Sequence, residues 1–118
     1  MNKFEIISRE KYNEVIAEEF KPKNGVIEYQ RYEAIQKPRR ATIGSAGYDF
    51  FSPISFKLKP GETIKVPTCI KCRLSRGNVL MIFPRSSLGF KYRLPLDNTV
   101  GVVDEDYYNN KSNEGNIF

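Results

Sequence analysis

The sequence predicts a mainly β domain, of sandwich, jelly-roll or barrel type, with a short helix near its N-terminus. Three observations carry this. Short runs alternate apolar and polar residues, turn-forming residues interrupt them at close intervals, and only one stretch has helical periodicity. With 118 residues the chain has the length of one small domain. No internal repeat and no long low-complexity tract complicates the reading.

In chain order, Lys3 to Ile7 is a short β-like run, and Ser8 is placed to cap a helix. Tyr12, Val15, Ile16 and Phe20 then follow at helical spacing, with the helix ending before Pro22. Glu10, Glu14, Glu18 and Glu19 give it a solvated face, so its apolar stripe is expected to pack on the domain itself. Lys23-Asn24-Gly25 reads as a turn, Val26 to Tyr32 as a strand, and Lys37 to Arg40 as a basic connector. Residues 1–37 are thus expected to form a strand–helix extension, and residues 38–118 the β domain.

Ile54, Phe56 and Leu58 alternate as a half-buried strand does. Pro60-Gly61 turns the chain, and Ile64 to Leu74 reads as another strand. After the turn Ser75 to Asn78, the apolar run Val79 to Phe83 predicts a central strand, and the β-branched run Thr99 to Val103 a further one. Tyr108 to Glu114 is expected to be an exposed loop. Gly115 to Phe118 reads as a strand just beginning, which suggests that the chain is truncated.

The net charge is +5 and histidine is absent. The charge suits an anionic ligand such as a nucleotide, nucleic acid or membrane surface, and does not choose among them. The missing histidine is more decisive. It excludes Ser-His-Asp and Cys-His catalysis and any imidazole-bound zinc site, so a general base must be a carboxylate, Lys, Tyr or Cys. No run approaches the ~18 apolar residues of a membrane span, and Met1 to Glu5 does not open a signal peptide; a cytoplasmic location is expected. Cys69 and Cys72 form a CxxC without partner ligands. In a strand their side chains would point to opposite faces, so packed, reduced thiols are expected.

Three islands are dense in residues that folding alone does not demand. Ser45-Ala46-Gly47-Tyr48-Asp49 sets a carboxylate behind small residues. Pro84-Arg85-Ser86-Ser87-Leu88-Gly89 follows the apolar run with a cation and two hydroxyls, a kit for phosphate or, alternatively, the capped start of a helical turn. Asn98 to Tyr107 ends a β-branched run in Asp104, Glu105 and Asp106, three carboxylates that the fold must separate or a cation offset. Together they suit a metal-bound phosphate ester attacked by carboxylate-activated water.

These islands resemble, in order and spacing, the first three of five motifs of the trimeric dUTPases: SAGYDFF, PRSSLG and NTVGVVDEDY. The similarity runs from about Pro38 to Phe118. It implies a jelly roll, or distorted barrel, assembled as a homotrimer whose active sites draw on all three subunits. It implies hydrolysis of dUTP to dUMP and pyrophosphate, with Asp104 as general base for water attacking the α-phosphorus. Tyr107 would stack on the deoxyribose and exclude a 2′-hydroxyl. Asn98, with backbone near Gly101 and Phe118, would read uracil. Arg85, Ser86 and Ser87 would hold the triphosphate, and Asp49 would support the phosphate end. Mg²⁺ would be carried by the triphosphate and water, with no protein ligands.

The fourth motif, a strand with Arg and Gln, and the fifth, a Gly-rich C-terminal arm, are absent, which puts the activity of this chain in doubt. Cys69 stands where many relatives carry Gly and is read as packing variation. The alternatives are a dCTP deaminase of the same fold and a non-catalytic module binding nucleotide or a protein partner. Nucleic-acid binding ranks lowest, because the basic residues are scattered.

Overall fold

The computed structural model describes residues 1–19 and 26–118. Among them, six strands form three antiparallel pairs: β1 (Lys3–Ile6) with β4 (Ile70–Arg73), β2 (Val26–Tyr29) with β3 (Ile54–Phe56), and β5 (Leu80–Ile82) with β6 (Gly101–Val103). Among the described residues there are also two helices, α1 (Arg9–Glu19) and α2 (Ser86–Tyr92), and short 3-10 turns at Tyr32–Ala34 and Glu105–Tyr107. The helix expected after Ser8 is α1, and the Ser8 hydroxyl accepts the Lys11 amide at 3.2 Å as an N-cap should. Phe20, Pro22 and the turn expected at 23–25 lie outside the described residues. Among the described residues no helix is long and apolar enough to cross a membrane.

Burial explains the pairing. Ile7, Tyr12, Val15, Ile35, Ile54, Cys69 and Ile70 form one core cluster, with α1 packed on it as its apolar stripe requires. Cys72, Val103 and Ile117 form a second. Phe4 packs against both, and its ring meets Phe50 edge-on at 5.5 Å. The N-terminal segment is therefore laced into the β structure: Phe4 stands opposite Cys72 and Glu5 opposite Lys71 in the β1–β4 ladder.

Four expectations are corrected. The strand expected from Ile64 to Leu74 is confined to Ile70–Arg73, because Cys69 is left-handed (φ 62°) and breaks the ladder. The two thiols are packed and reduced as expected: each lies in a different cluster, both are free, and burial pushes the Cys69 thiol up to about 12. Cys69 is thus a backbone exception and more than a packing variant, since a residue with a Cβ is costly in that region.

The run Val79 to Phe83 is no central strand within this chain. Only Leu80–Ile82 pairs, on one side, and Val79, Met81 and Phe83 are exposed. The strand expected from Thr99 begins at Gly101, because Thr99 is left-handed (φ 66°) and closes a tight turn in which Val100 donates to Asn98 O at 2.7 Å. Gly115 to Phe118 is not a strand. Ile117 nevertheless brackets Cys69, accepting from the Thr68 amide at 2.8 Å and donating to Ile70 O at 3.0 Å.

The backbone at Cys69 sets the first expected outcome. Cys69→Val should destabilise the protein by about 2 kcal/mol more than Cys72→Val, because a β-branched residue resists the left-handed region and suits a strand. Denaturant unfolding of the two variants compares them directly; equal losses would mean that the Cys69 backbone conformation carries no cost.

Candidate active site

The cleft that collects the expected residues is about 490 Å³ and is lined by Asn98, Gly101, Asp104, Tyr107 and Phe118, together with Asp106 and the apolar Ile82, Val103 and Ile117. β6 delivers one wall and the 3-10 turn after it another. Gly101 faces Ile82 across the β5–β6 ladder, where a Cβ would meet the Ile82 Cβ at 3.2 Å; glycine keeps the strands close and the cleft open beside them.

The fold separates the three acids. Glu105 turns away to accept the Gly77 amide at 2.8 Å, while Asp104 and Asp106 line the cleft. Asp104 starts the 3-10 turn, its carbonyl accepting the Tyr107 amide at 3.2 Å. Tyr107 is fixed at its far end: its hydroxyl donates to Asn116 O at 2.8 Å and accepts from Asn113 Nδ2 at 2.7 Å. Asn116 is fully buried and its Oδ1 accepts the Cys69 amide at 2.9 Å. Phe118 carries Lys65 over its ring at 4.2 Å.

Arg85, Ser86, Ser87 and Asp49 are not part of this cleft lining. Arg85 stands at the N-cap of α2 without a side-chain cap bond, and Ser86 and Ser87 are exposed in the first turn; the helical turn is present, but no serine caps it. Asp49 is held through its backbone by Arg39, with bonds of 2.8 and 3.2 Å, and its carboxylate lies 4.0 Å from the Arg85 guanidinium. Both side chains are substantially exposed, so this pair orients more than it stabilises.

The dUTPase family model matches residues 33–112. The chain belongs to the dUTPase family. It is 42% identical over 93 residues to the deoxyuridine 5′-triphosphate nucleotidohydrolase of Lactococcus lactis subsp. lactis, covering 79% of this chain and 62% of that relative. It is 44% identical over 75 residues to that of Paraburkholderia phytofirmans, covering 61% and 51%. The crystal structure of dUTPase from Streptococcus mutans aligns with a TM-score of 0.63 at 34% identity, over 98% of this chain and 73% of that one. The chain therefore has the mainly β, jelly-roll-like dUTPase fold.

Sequence reasoning missed the residues behind Tyr107. The stretch from Tyr108 to Glu114 was expected to be an exposed loop; Tyr108, Asn110, Asn113 and Glu114 are instead partly buried. Asn110 Nδ2 donates to Tyr107 O at 2.8 Å and to Asn113 Oδ1 at 2.7 Å. The density of Asn was the available signal, because such side chains bond nearby backbone and build their own turns. Lys71, almost buried, donates to Asn109 Oδ1 at 2.7 Å and Glu114 Oε1 at 2.8 Å. Ser8 adds two donors to Glu114, its amide at 2.8 Å and its hydroxyl at 2.7 Å. Burial raises the Glu114 carboxyl, but Lys71 and Ser8 outweigh it and hold the group below its ordinary 4.5.

A depressed carboxyl favours the folded state above its unfolded value and loses that contribution as pH falls through the folded one. The Glu114 contribution should thus be complete above about pH 4.5 and drain away below it. Thermal melts from pH 7 to pH 3 should fall more steeply for the parent than for Glu114→Gln; parallel curves would show that Glu114 carries no such linkage.

Proposed function

We propose that this chain carries the active-site core of an enzyme that hydrolyses dUTP to dUMP and pyrophosphate, in nucleotide metabolism of the cytoplasm. The observation that carries the reading is the convergence of Asn98, Gly101, Asp104, Tyr107 and Phe118 on one cleft. The relatives' shared name, deoxyuridine 5′-triphosphate nucleotidohydrolase, points the same way. The chain spans about 62% of the Lactococcus relative's length, so the activity assigned here is that of the whole protein.

In this reading Asp104 takes a proton from water, which attacks the α-phosphorus in line and expels pyrophosphate. The Tyr107 ring packs against the deoxyribose and leaves no room for a 2′-hydroxyl. Asn98 and the backbone at Gly101 and Phe118 read uracil. Arg85, Ser86 and Ser87 hold the triphosphate, and Asp49 orients Arg85. Because that group stands apart from the cleft within one chain, the reading calls for neighbouring copies to complete each site. A homotrimer also accounts for the exposed apolar side chains Met81 and Val102 on β5–β6 and Val79 and Phe83 at the ends of β5. Residues 38–118 are the β domain of this assembly, and residues 1–37 extend it.

The donor set fits a hard divalent cation carried by substrate. Among the described residues no group of three or more carboxylates or thiols could cage a metal ion, yet Asp104 and Asp106 face the cleft, where they can hold the waters of a magnesium ion. Bound Mg²⁺ would offset the charge of the triphosphate.

The full-length protein should release pyrophosphate from dUTP with Mg²⁺, and far less from dCTP or UTP. Asp104→Asn should lower the rate by roughly 10²–10⁴-fold, the range for losing a general base. Equal turnover of the three nucleotides, or an undiminished Asn variant, would overturn the proposal.

A further inference from the structure

We propose that β1 and the first turn of α1 form a positioning element for Tyr107, acting through the loop that follows it; the inference rests on the dUTP reading above and names how that site discriminates sugars. The loop is gripped along its length by the N-terminal segment. Tyr108 donates its hydroxyl to Glu5 Oε1 at 2.8 Å near the start, and Lys11 Nζ approaches Ser112 O at 3.4 Å in the middle. At the end, Ser8 gives Glu114 both its amide and its hydroxyl. Lys71, which stands opposite Glu5 in the β1–β4 ladder, closes the cluster from below.

The loop turns tightly, and at Glu114 it does so against backbone preference. Asn109, Glu114 and Gly115 all have positive φ (56°, 63° and 91°). A Cβ at Gly115 would meet Asn109 N and Tyr107 O at 3.0 Å, so the chain doubles back tightly on Tyr107. Asn and Gly adopt this left-handed region readily, but a glutamate persists there where surrounding contacts over-determine it, and at Glu114 those contacts come from Ser8 and Lys71. Within the loop, Asn113 and the Asn116 carbonyl fix the Tyr107 hydroxyl. The path from α1 to the cleft thus runs from Ser8 to Glu114, along the backbone to the Gly115 amide, which donates to Asn113 Oδ1 at 3.0 Å, and from Asn113 to Tyr107. A ring held at its hydroxyl presents its face to the cleft at one height, and that height decides whether a 2′-hydroxyl is accommodated.

A purely structural grip would change stability and leave the sugar preference intact; a positioning element changes the preference itself. The test measures kcat and KM of the full-length protein for dUTP and UTP, well below the melting temperature, for Glu114→Gln and Tyr108→Phe. Tyr108→Phe removes only the hydroxyl bonds, to Glu5 and to Arg73, and keeps the inference testable if Glu114→Gln folds poorly. The preference for dUTP over UTP in kcat/KM should fall roughly three- to tenfold in each variant, the worth of one hydrogen bond, with the loss in KM rather than kcat. A parental preference retained in both variants, whatever their melting temperatures, would overturn the inference and leave the dUTP reading standing. A parent with no preference for dUTP would overturn both.

Discussion

An ammonium group shut away from water must meet a counter-charge, and much of this structure is arranged so that Lys71 meets Glu114. Lys71 is only 8% exposed, and the desolvation of such a group is recovered only with good geometry and further hydrogen bonds. It finds both, in Glu114 at 2.8 Å and Asn109 at 2.7 Å. The pairing draws in three separate stretches of chain. Lys71 sits in β4, Glu114 ends the loop after the acidic turn, and Ser8, which caps α1, completes the shell of Glu114. One carboxylate thereby ties the N-terminal helix, the ladder it follows and the loop that walls the cleft.

The cleft inherits its shape from the same packing. Val103 and Ile117 belong to the second core cluster and also line the cleft, so the floor of the site is the surface of a core. Tyr107 packs against that cluster while its hydroxyl is held by the loop. Asp104 and Asp106 then project from a turn whose neighbour, Glu105, is bonded away to Gly77. Two carboxylates beside one fixed aromatic make the cleft polar along the acidic turn and flat beside the Tyr107 ring. The Arg85 group and the apolar face of β5–β6 remain open on a single chain, which is what a shared site would leave.

Several local signals in the sequence carry through to the structure. Ser8 caps a helix whose apolar residues Tyr12 and Val15 are buried, the Asn78 amide closes its turn on Ser75 O at 3.1 Å, and the acidic string after β6 reaches the cleft. What escaped depended on distant partners at Cys69 and Glu114, and on a tight local turn at Thr99. Cys69 and Thr99 looked like strand residues, yet both are left-handed, because Asn116, 47 positions away in sequence, captures the Cys69 amide and a tight turn presents Asn98. Glu114 looked like one more solvated acid; only the fold reveals that Lys71 and Ser8 converge on it. The Arg85 segment reads in sequence either as a phosphate kit or as a helical start, and α2 supplies the second.

The claim on which the rest depends is that the Lys71–Glu114 pair orders the loop behind the cleft. Amide hydrogen exchange of the full-length protein, parent against Lys71→Met, addresses it most directly. The amides of Asn109, Glu114 and Asn116, bonded within the loop, should exchange at least about tenfold faster in the variant, as a locally opened segment does, while the β5–β6 ladder keeps its protection. Unchanged exchange across the loop would contradict the account, and would mean that the loop holds Tyr107 without the buried charge beneath it.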